Sequence, residues 1–312
     1  MIRTKKKPSA ILCADIHLME SNPVCRLDDF INEAQWKKMQ WLKDLQAKYH
    51  CPVLNAGDLF DHWKPSPELL AKAIQYIPKR FASICGQHDL PQHSLDLIHK
   101  SGIYVLKQAG KVELFEEGSW GKEPTGDITT FFDLNNLAYY KQGDDDTQPP
   151  KNIPSRNIFI WHTHVYQGKL PWPDCPSPSA LKVLKKYPQF DLILTGDNHK
   201  PFVESYEGRL LVNPGSLFRT TADQITHEPR VYLWYAETNT VEPVYVPIEA
   251  GVISREHLEK AKERNDRIEA FISRLDNDWD AAIGFEENLK RFLQKNEIRQ
   301  SVKDIINKCL EE

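Results

Sequence analysis

Aspartate and histidine side chains follow short apolar segments at several points of this 312-residue sequence. Short apolar runs of this kind predict buried β-strands. The carboxyl ends of parallel strands meet at one edge of a sheet, and ligands bind at that edge in α/β folds. The sequence therefore predicts a site of carboxylates, imidazoles and an amide. In chain order, its groups are Asp15-Ile16-His17, Gly57-Asp58, Gly86-Gln87-His88-Asp89, His162 with His164, and Gly196-Asp197-Asn198-His199.

A mixed set of aspartates and histidines is typical of divalent metal sites. Carboxylate oxygens suit hard cations, whereas imidazole suits Mn, Fe and Zn, so the mixture favours these three over Mg or Ca. Asp58 is the natural bridging ligand, because it is central in the sequence and follows a glycine that allows a sharp turn. Two cations about 4 Å apart clamp an in-line displacement at phosphorus and activate a water molecule. We therefore expect a centre for two divalent cations.

The residues that follow Gln87 are candidates for acid–base catalysis. His88 is expected to point into the same cavity, where an imidazole can protonate a leaving alkoxide or neutralise a phosphate oxygen. Asp89 is expected to orient that imidazole. His164 either contacts substrate or caps its strand. The remaining histidines lack a strand-end position and are interpreted as surface or packing residues; they are His50, His62, His93, His99, His227 and His257.

Each of these motifs also has an ordinary structural explanation when taken alone. Asp-x-His is common, Gly-Asp is a frequent turn, and Gly-Gln-His-Asp can be a loop with a hydrogen-bonded histidine. Their shared order along the chain and their placement after apolar runs favour the site over these alternatives.

The elements that must position these side chains alternate between strand and helix in the first third of the chain. Helices are predicted over residues 29–49, from Ser66-Pro67-Glu68 onward, and over 94–100. This βαβαβα order predicts a largely parallel sheet. Short strands are expected between 103 and 140, including 128–132 and 136–140, before a surface loop over 143–150. Strand–helix–strand then resumes over 157–197, and the last strands are predicted near 202–205, 209–213, 231–236 and 241–246.

The last part of the chain has a different composition. Residues 251–312 contain no proline, and their apolar residues recur at helical spacing in three segments. We therefore expect a core over 1–250 and a helical appendage over 251–312. Its apolar residues, Phe271, Ile272, Leu275, Phe292 and Ile305 among them, either dock a partner or pack within the chain.

The composition is that of an ordinary globular protein, with 40% hydrophobic residues, 27% charged residues and a net charge of −4. The chain has no overall positive charge of the kind that is typical of nucleic-acid-binding proteins. Bound metal cations can, however, neutralise a phosphodiester in place of lysine and arginine side chains. The six cysteines form no Cys-x-x-Cys pair, which predicts reduced thiols and a cytoplasmic protein. We expect no signal peptide, membrane span or membrane partner.

The motifs together resemble a known family. Asp15-x-His17, Gly57-Asp58-x-x-Asp61, Gly86-x-His88-Asp89, His162 and Gly196-x-x-His199 look like those of the calcineurin-like metallophosphoesterases. Two further segments resemble the SbcD-type DNA repair exonucleases within that family. They are Gly57–Asp61 followed by Pro65-Ser66-Pro67, and Asn213-Pro214-Gly215-Ser216. The resemblance covers roughly residues 9–220.

The resemblance implies an α/β (α+β) fold, a two-sheet β-sandwich flanked by helices, here with a helical C-terminal appendage. It also implies a role for each matching residue. Metal one would be held by Asp15, His17, Asp58 and His199, and metal two by Asp58, Gln87, His162 and Asp197. His88 would be the catalytic histidine. Independently of the resemblance, Asp89 is assigned to catalysis beside His88, and Asp61 and His164 are assigned to substrate binding.

Two positions depart from the family pattern. The family usually has Asn where Gln87 stands and His where Asp197 stands. Both replacements can still offer an oxygen to a metal, and the added carboxylate shifts the preference toward harder ions such as Mn²⁺ or Mg²⁺. We therefore expect Mn²⁺, with Mg²⁺, Fe²⁺ and Zn²⁺ as alternatives.

The function predicted on this basis is metal-dependent phosphodiester hydrolysis by a DNA exo- or endonuclease subunit in repair, recombination or replication. The expected partners are DNA, an SbcC-like ATPase on the C-terminal helices, or a second copy of the chain. One alternative is a phosphatase or phosphodiesterase acting on nucleotides, other small molecules or phosphoproteins. The other is a non-enzymatic scaffold with a degenerate metal site, which Gln87 and Asp197 would support.

Overall fold

The computed structural model describes residues 7–115, 129–133, 156–278 and 284–311. The chain divides into two compact units, Met1–Ser254 and Arg255–Glu312. None of the described helices is long and apolar enough to cross a bilayer.

The described part of the first unit contains two sheets. The six-stranded sheet has the order β11-β10-β1-β2-β3-β4, in which β1 to β4 are parallel and β10 runs antiparallel to β1. Its strands are β1 (Ala10–Cys13), β2 (Val53–Asn55), β3 (Phe81–Ser83), β4 (Glu113–Leu114), β10 (Arg230–Tyr235) and β11 (Thr240–Tyr245). The parallel pairing follows from the helical crossovers that link these strands.

The second sheet has five strands in the order β5-β6-β7-β9-β8. Its central strands β6, β7 and β9 are parallel, and both edge strands are antiparallel to their neighbours. The strands are β5 (Thr129–Asp133), β6 (Asn157–His162), β7 (Leu192–Gly196), β8 (Phe202–Tyr206) and β9 (Arg209–Asn213).

Apolar side chains of both sheets form one cluster. Leu12 and Leu54 of the first sheet share it with Ile160 and Leu194 of the second. All four are fully buried, and each contributes about 1.5–3 kcal/mol through removal from water. The predicted two-sheet fold flanked by helices is confirmed.

The helices of the first unit cover the outer faces of the sheets. A π-helical turn (Phe30–Ala34) leads into α1 (Gln35–Tyr49), and α2 (Pro67–Tyr76) and α4 (Ala180–Lys186) follow their predicted strands. Ser66 caps α2 as predicted, because its Oγ accepts a hydrogen bond from the Leu69 N–H at 3.2 Å. Leu42 and Leu69 bury the inner faces of α1 and α2 in the core of the first sheet.

The prediction of short strands from residue 103 onward is wrong at its start. Residues Gly102–Gln108 form helix α3, and residues Leu95–Lys100 before it form a 3₁₀ helix. Ser101 starts α3 by accepting a hydrogen bond from the Tyr104 N–H at 3.3 Å. Ile103 and Leu106, three residues apart, are then both buried on one helical face. The predicted strand over 136–140 and loop over 143–150 lie outside the described residues.

The second unit contains helices α5 (Glu256–Asp278), α6 (Phe285–Lys295) and α7 (Gln300–Glu311). Phe292 is buried, whereas Ile305 is 64% exposed. The side chains of Phe271, Ile272 and Leu275 lie outside the described part of the chain. Partner docking on these helices therefore stays a prediction.

Candidate metal centre

Acidic and imidazole groups converge beyond the carboxyl ends of β1, β2, β3, β6 and β7. Their ligand atoms form three overlapping groups, in each of which the atoms lie within 4.8 Å of one another. The groups are Asp15, His17 and His199; His17, Asp58 and His88; and Asp15, Asp58 and His162. The structure thus brings together six of the predicted side chains, drawn from both sheets.

Asp58 lies at the centre of this cluster. Its Oδ2 is 3.2 Å from His162 Nε2 and 3.6 Å from His17 Nε2. Its Oδ1 accepts a hydrogen bond from the His88 backbone N–H at 2.9 Å. One carboxylate therefore faces imidazoles that arrive from β1 and from β6, which is the placement that a shared ligand requires.

Several donor atoms of the cluster are buried and make no hydrogen bond of regular geometry among the described residues, although His17 Nδ1 and His162 Nε2 face the carboxylates of Asp61 and Asp58. They are Asp15 Oδ2, both ring nitrogens of His17 and His162 Nε2. A buried polar atom without a partner costs free energy unless another group satisfies it. Carboxylate oxygen and imidazole nitrogen together are the donors that a divalent transition metal takes. The residues present therefore fit divalent cations.

Hydrogen bonds to backbone groups and to buried polar side chains hold the donor atoms of the cluster in place. His162 Nδ1 lies 2.6 Å from the Ala56 carbonyl oxygen, so this nitrogen donates and leaves Nε2 directed at Asp58. Asp15 Oδ1 accepts a hydrogen bond from the Asp197 backbone N–H at 2.9 Å. Below them, Asn55 donates to Ser83 Oγ at 2.8 Å and to the Gly57 carbonyl oxygen at 3.2 Å. These contacts fix the strand ends against each other.

The backbone turns sharply where it presents these ligands. Asp15, His17 and Asp58 have φ values of 48°, 49° and 52°, and Asp197 has a φ of 70°. These values lie in the left-handed region, which costs an L-residue free energy. The sequence predicts a sharp turn at Gly57, and the structure has positive φ values both at Gly57 and at the acidic and imidazole residues themselves.

Two glycines allow the close approach of the loops. A Cβ at Gly86 would lie 2.1 Å from Asp58 Oδ1, and a Cβ at Gly57 would lie 2.5 Å from His162 Nδ1. Both distances are far below van der Waals contact, so no other residue fits without moving a ligand.

Gln87 and Asp197, the two departures from the family pattern, contact each other. Gln87 Nε2 donates a hydrogen bond to Asp197 Oδ1 at 2.7 Å. Both residues are half-buried. Asp197 is absent from the three donor groups, although its backbone N–H reaches Asp15. The amide is thereby anchored through its nitrogen, and this bond does not use its oxygen.

His88 is exposed, unlike the buried ligands around it. Its Nδ1 lies 2.8 Å from the Asp61 carbonyl oxygen, and its ring centroid lies 4.9 Å from that of His17. Because a carbonyl only accepts, Nδ1 carries a proton. Protonation of the ring then occurs at Nε2, which can pass that proton on.

The expected contact between Asp89 and the His88 imidazole is absent from this structure. Asp89 is fully buried, and its carboxylate accepts backbone hydrogen bonds from Phe60 at 3.0 Å, Leu59 at 3.2 Å and Gly86 at 3.0 Å. The tight helical turn over Gln87–Asp89 directs this side chain back toward Gly86. Asp89 therefore joins the loops after β2 and β3, and the Asp61 carbonyl orients His88 instead.

The two predicted substrate-binding residues lie at different distances from the cluster. Asp61 Oδ1 is 3.5 Å from His17 Nδ1, and its side chain is 49% exposed. His164 is outside the three donor groups, and its Nδ1 lies 2.9 Å from Ser177 Oγ. Its ring lies against Trp172, with centroids 5.3 Å apart. His164 also lines a cavity beside the cluster with Asp197, His199, Lys200 and His227.

The Asn213–Ser216 segment holds the turn that carries His199, a role that the sequence motif did not reveal. Asn213 Nδ2 donates to the carbonyl oxygens of Asn198 at 2.5 Å and Lys200 at 2.9 Å. The Ser216 N–H donates to the His199 carbonyl oxygen at 3.2 Å. The segment is therefore a support for a ligand rather than a ligand itself.

Burial and mutual charge shift the pKa values of the cluster. Burial would raise the pKa of Asp58, but the surrounding imidazoles of His162, His17 and His88 together lower the pKa to about 2. Burial would likewise lower the pKa of His162, but the Asp58 carboxylate raises it to about 10. Burial raises the pKa of Asp15. Protons and cations thus compete for the same buried atoms.

Residues 9–233 match the calcineurin-like phosphoesterase superfamily domain. The chain belongs to this superfamily. Its members hydrolyse phosphoesters with divalent metals, which agrees with the donor cluster, and the resemblance is confirmed at this level. A search of curated proteins found no match.

Several solved structures are similar to this chain. An archaeal phosphodiesterase is 12% identical, with 76% of this chain and 98% of that chain covered and a TM-score of 0.39. Vacuolar protein sorting 29 from Cryptosporidium parvum is 17% identical, with 76% and 96% covered and a TM-score of 0.32. A predicted phosphoesterase from Streptococcus pneumoniae TIGR4 is 12% identical, with 72% and 80% covered and a TM-score of 0.31. At such TM-scores these similarities carry no further conclusion.

Proposed function

We propose that this chain is a nuclease that hydrolyses phosphodiester bonds in DNA with the aid of two divalent cations. The observation that carries the proposal is the exposed His88 beside the buried cluster centred on Asp58. A proton donor that solvent can reach, next to atoms that fit cations, suits cleavage of a phosphate ester of a large substrate.

The proposed ligand sets are those that the family resemblance implies; the donor groups support Asp15, His17, Asp58, His162 and His199, but contain neither Gln87 nor Asp197. Asp15, His17, Asp58 and His199 would hold one cation, and Asp58, Gln87, His162 and Asp197 the other. When bound, such cations polarise the phosphoryl group and activate a water molecule for in-line attack. Mn²⁺ is the favoured ion, because three carboxylates and several imidazoles are present together.

His88 would act on the leaving group. Its Nδ1 is occupied by the Asp61 carbonyl, so the protonated ring carries its transferable proton at Nε2. Transfer of that proton to the departing alkoxide oxygen leaves a neutral imidazole whose orientation the Asp61 carbonyl preserves. General acid catalysis of this kind contributes about 10²–10⁴-fold to a rate.

A nucleic-acid substrate is supported by the exposed ring of Trp172, which lies against His164 in the cavity beside the cluster. Trp172 is 49% exposed, and its ring centroid lies 5.3 Å from that of His164. Exposed aromatic rings stack on nucleobases. Lys200, on the same cavity as His164, supplies a positive charge for a phosphate.

The test is hydrolysis of linear duplex DNA, single-stranded DNA, closed circular DNA and a chromogenic phosphodiester, with Mn²⁺, Mg²⁺, Fe²⁺ or Zn²⁺ and with chelator. We expect DNA cleavage that requires a cation, and end-dependent cleavage would identify an exonuclease. Cleavage of the chromogenic ester or of nucleotides without cleavage of any DNA would favour the small-molecule phosphodiesterase. No hydrolysis with any cation would favour the scaffold.

Trp172→Ala separates DNA recognition from chemistry. Loss of one stacked base should raise the KM for DNA about tenfold. The chromogenic ester, which has no nucleobase, should be cleaved as by the parent. Trp172→Phe, which keeps a ring, is the matched control.

The proposal extends to a partner. Val302 and Ile305 on α7 are exposed apolar residues, and such anchors suit a helix that docks in a groove. An SbcC-like ATPase is the proposed occupant. Co-purification of the two chains, lost on Ile305→Asp and kept on the substitution Lys303→Asp, tests it.

A further inference from the structure

A second cavity of the first unit lies among α1, the segment after Ser216 and residues 247–252. It is lined by Arg26, Lys38, Trp41, Arg219, Ile248 and Val252, among others. None of its lining residues is a donor of the metal cluster. The cavity is therefore a separate feature of the molecule.

Three of its lining residues are buried cations. Arg26, Lys38 and Arg219 are only 8%, 7% and 5% exposed. Such burial is uncommon for lysine and arginine unless an opposite charge compensates them.

One of these cations is neutralised by a carboxylate. Arg26 makes a two-pronged ion pair with Asp28, with Nε–Oδ1 and Nη2–Oδ2 distances of 2.7 and 2.5 Å. Arg219 instead donates to backbone carbonyls, to Glu249 at 2.9 Å and to Ile225 at 3.4 Å. These bonds use both Nη atoms, supply no negative charge and leave the buried Nε without a hydrogen bond among the described residues.

Lys38 is the least compensated of the three. Within the described residues its ammonium has no hydrogen-bonded acceptor, and its nitrogen lies 5.8 Å from the Phe218 ring centroid. The carboxylates that act on its charge are Asp28, already paired, and Glu249, which is exposed. Burial, together with Arg26 and Arg219, lowers the pKa of Lys38 to about 8.

We propose that this cavity binds a phosphate group through Lys38 and Arg219. The two carboxylates that line the cavity are Asp28, which Arg26 already pairs, and the exposed Glu249, so Lys38 and Arg219 are two buried cations without an ion-paired carboxylate of their own. Their charge matches that of a phosphate dianion, and a guanidinium beside an ammonium is a common phosphate-binding pair. The ligand is inorganic phosphate or a nucleoside monophosphate, whose base would meet the apolar wall of Trp41, Ile248 and Val252. The proposal is independent of the nuclease function, because it needs neither cations nor the Asp58 cluster.

The experiment is titration calorimetry on the full chain in phosphate-free buffer with chelator. The probes are inorganic phosphate, AMP and adenosine. We expect phosphate and AMP to bind with dissociation constants of about 1 mM or lower. Adenosine, which has no phosphate, should not bind. Equal affinities for phosphate and AMP would indicate recognition of the phosphate alone, and tighter AMP binding would indicate that the base is recognised too; both support the proposal.

Matched variants locate the binding site. Lys38→Met keeps the length of the side chain, removes its charge and should weaken phosphate binding at least about tenfold. Lys37→Met is the control, because Lys37 lines the same cavity but is paired with Glu33 at 2.7 Å. Asp58→Asn should bind phosphate like the parent, which separates this cavity from the metal centre. Absence of phosphate binding by the parent, or equal weakening in Lys38→Met and Lys37→Met, would overturn the proposal. Circular dichroism of each variant verifies that it is folded.

Discussion

The amide of Gln87 donates a hydrogen bond to the carboxylate of Asp197 at 2.7 Å, joining the loops that follow β3 and β7. The two positions at which the chain departs from the family pattern are thus direct neighbours. An amide held through its nitrogen is restricted in where its oxygen can lie, so the pair can work as one unit. A change at one member should therefore affect the other.

We predict that Gln87→Ala and Asp197→Ala each retain one bound cation and lose the second. Each substitution removes one oxygen ligand and leaves its partner without an anchor. Elemental analysis after dialysis measures the stoichiometry. The solvent-exposed hydrogen bond between Gln40 and Asp44, also 2.7 Å long, offers matched controls in Gln40→Ala and Asp44→Ala. Two cations retained in both Gln87→Ala and Asp197→Ala would contradict the ligand assignment.

Asp58→Asn should abolish hydrolysis, with a loss of at least about a hundredfold. Its carboxylate faces both His17 and His162, so loss of one negative charge weakens both cation sites together. Steady-state rates and metal content are measured in parallel, with Asp44→Asn as the surface control. Activity within tenfold of the parent would rule out a shared carboxylate at this position.

His88→Asn should bind cations like the parent but hydrolyse DNA about 10²–10⁴-fold more slowly. The loss should be much smaller for a p-nitrophenyl phosphodiester, because its leaving group needs no proton. His99→Asn, a change at an exposed histidine, is the control. Equal losses on both substrates would show that His88 acts on the phosphate charge and not on the leaving group.

Because of Lys38, the free energy of unfolding of the protein should change with pH between about 8 and 10.5. The pKa of Lys38 is about 8 in the folded chain against an ordinary 10.5, so the unfolded chain binds more protons between these values. Stability therefore rises as the pH increases from 8 to 10.5, and the full penalty, about 3 kcal/mol, applies below pH 8. The charged groups that act on Lys38 are Arg26, Arg219, Asp28 and Glu249.

Thermal unfolding of the parent and of Lys38→Met in phosphate-free buffer measures this effect. The variant should be the more stable protein at pH 7, and its advantage should shrink toward pH 10.5. A constant difference across the range would mean that Lys38 is not desolvated. Lys37→Met should show no such trend.

The convergence of the acidic and imidazole side chains is largely predictable from the sequence because these side chains follow buried strands. An apolar run followed by Asp or His predicts that this side chain lies at the carboxyl edge of a sheet, as it does for Asp15, Asp58 and His162. Residues 103–108 were misread because a short apolar run does not distinguish strand from helix, and only the Ser101 cap decides. The position of Asp89 depended on a backbone turn of three residues, which no residue pattern specifies.

Other features were beyond sequence reasoning because they depend on contacts between distant segments. Arg26, Lys38 and Arg219 belong to separate stretches of the chain, and no spacing links them. The buried bond between Asn55 and Ser83 likewise joins neighbouring strands. Asn213 belongs to a recognisable sequence motif, but its support of the His199 turn depends on hydrogen bonds to Asn198 and Lys200 that only the folded chain forms.

The left-handed backbone at Asp15, His17 and Asp58 links cation binding to the free energy of unfolding of the chain. Each such residue costs about 1 kcal/mol or more, and the chain bears that cost whether or not cations are bound. Cations that bind the folded cluster but not the unfolded chain offset the cost by mass action. With the proposed cations bound, addition of a chelator is therefore expected to lower the free energy of unfolding of the chain.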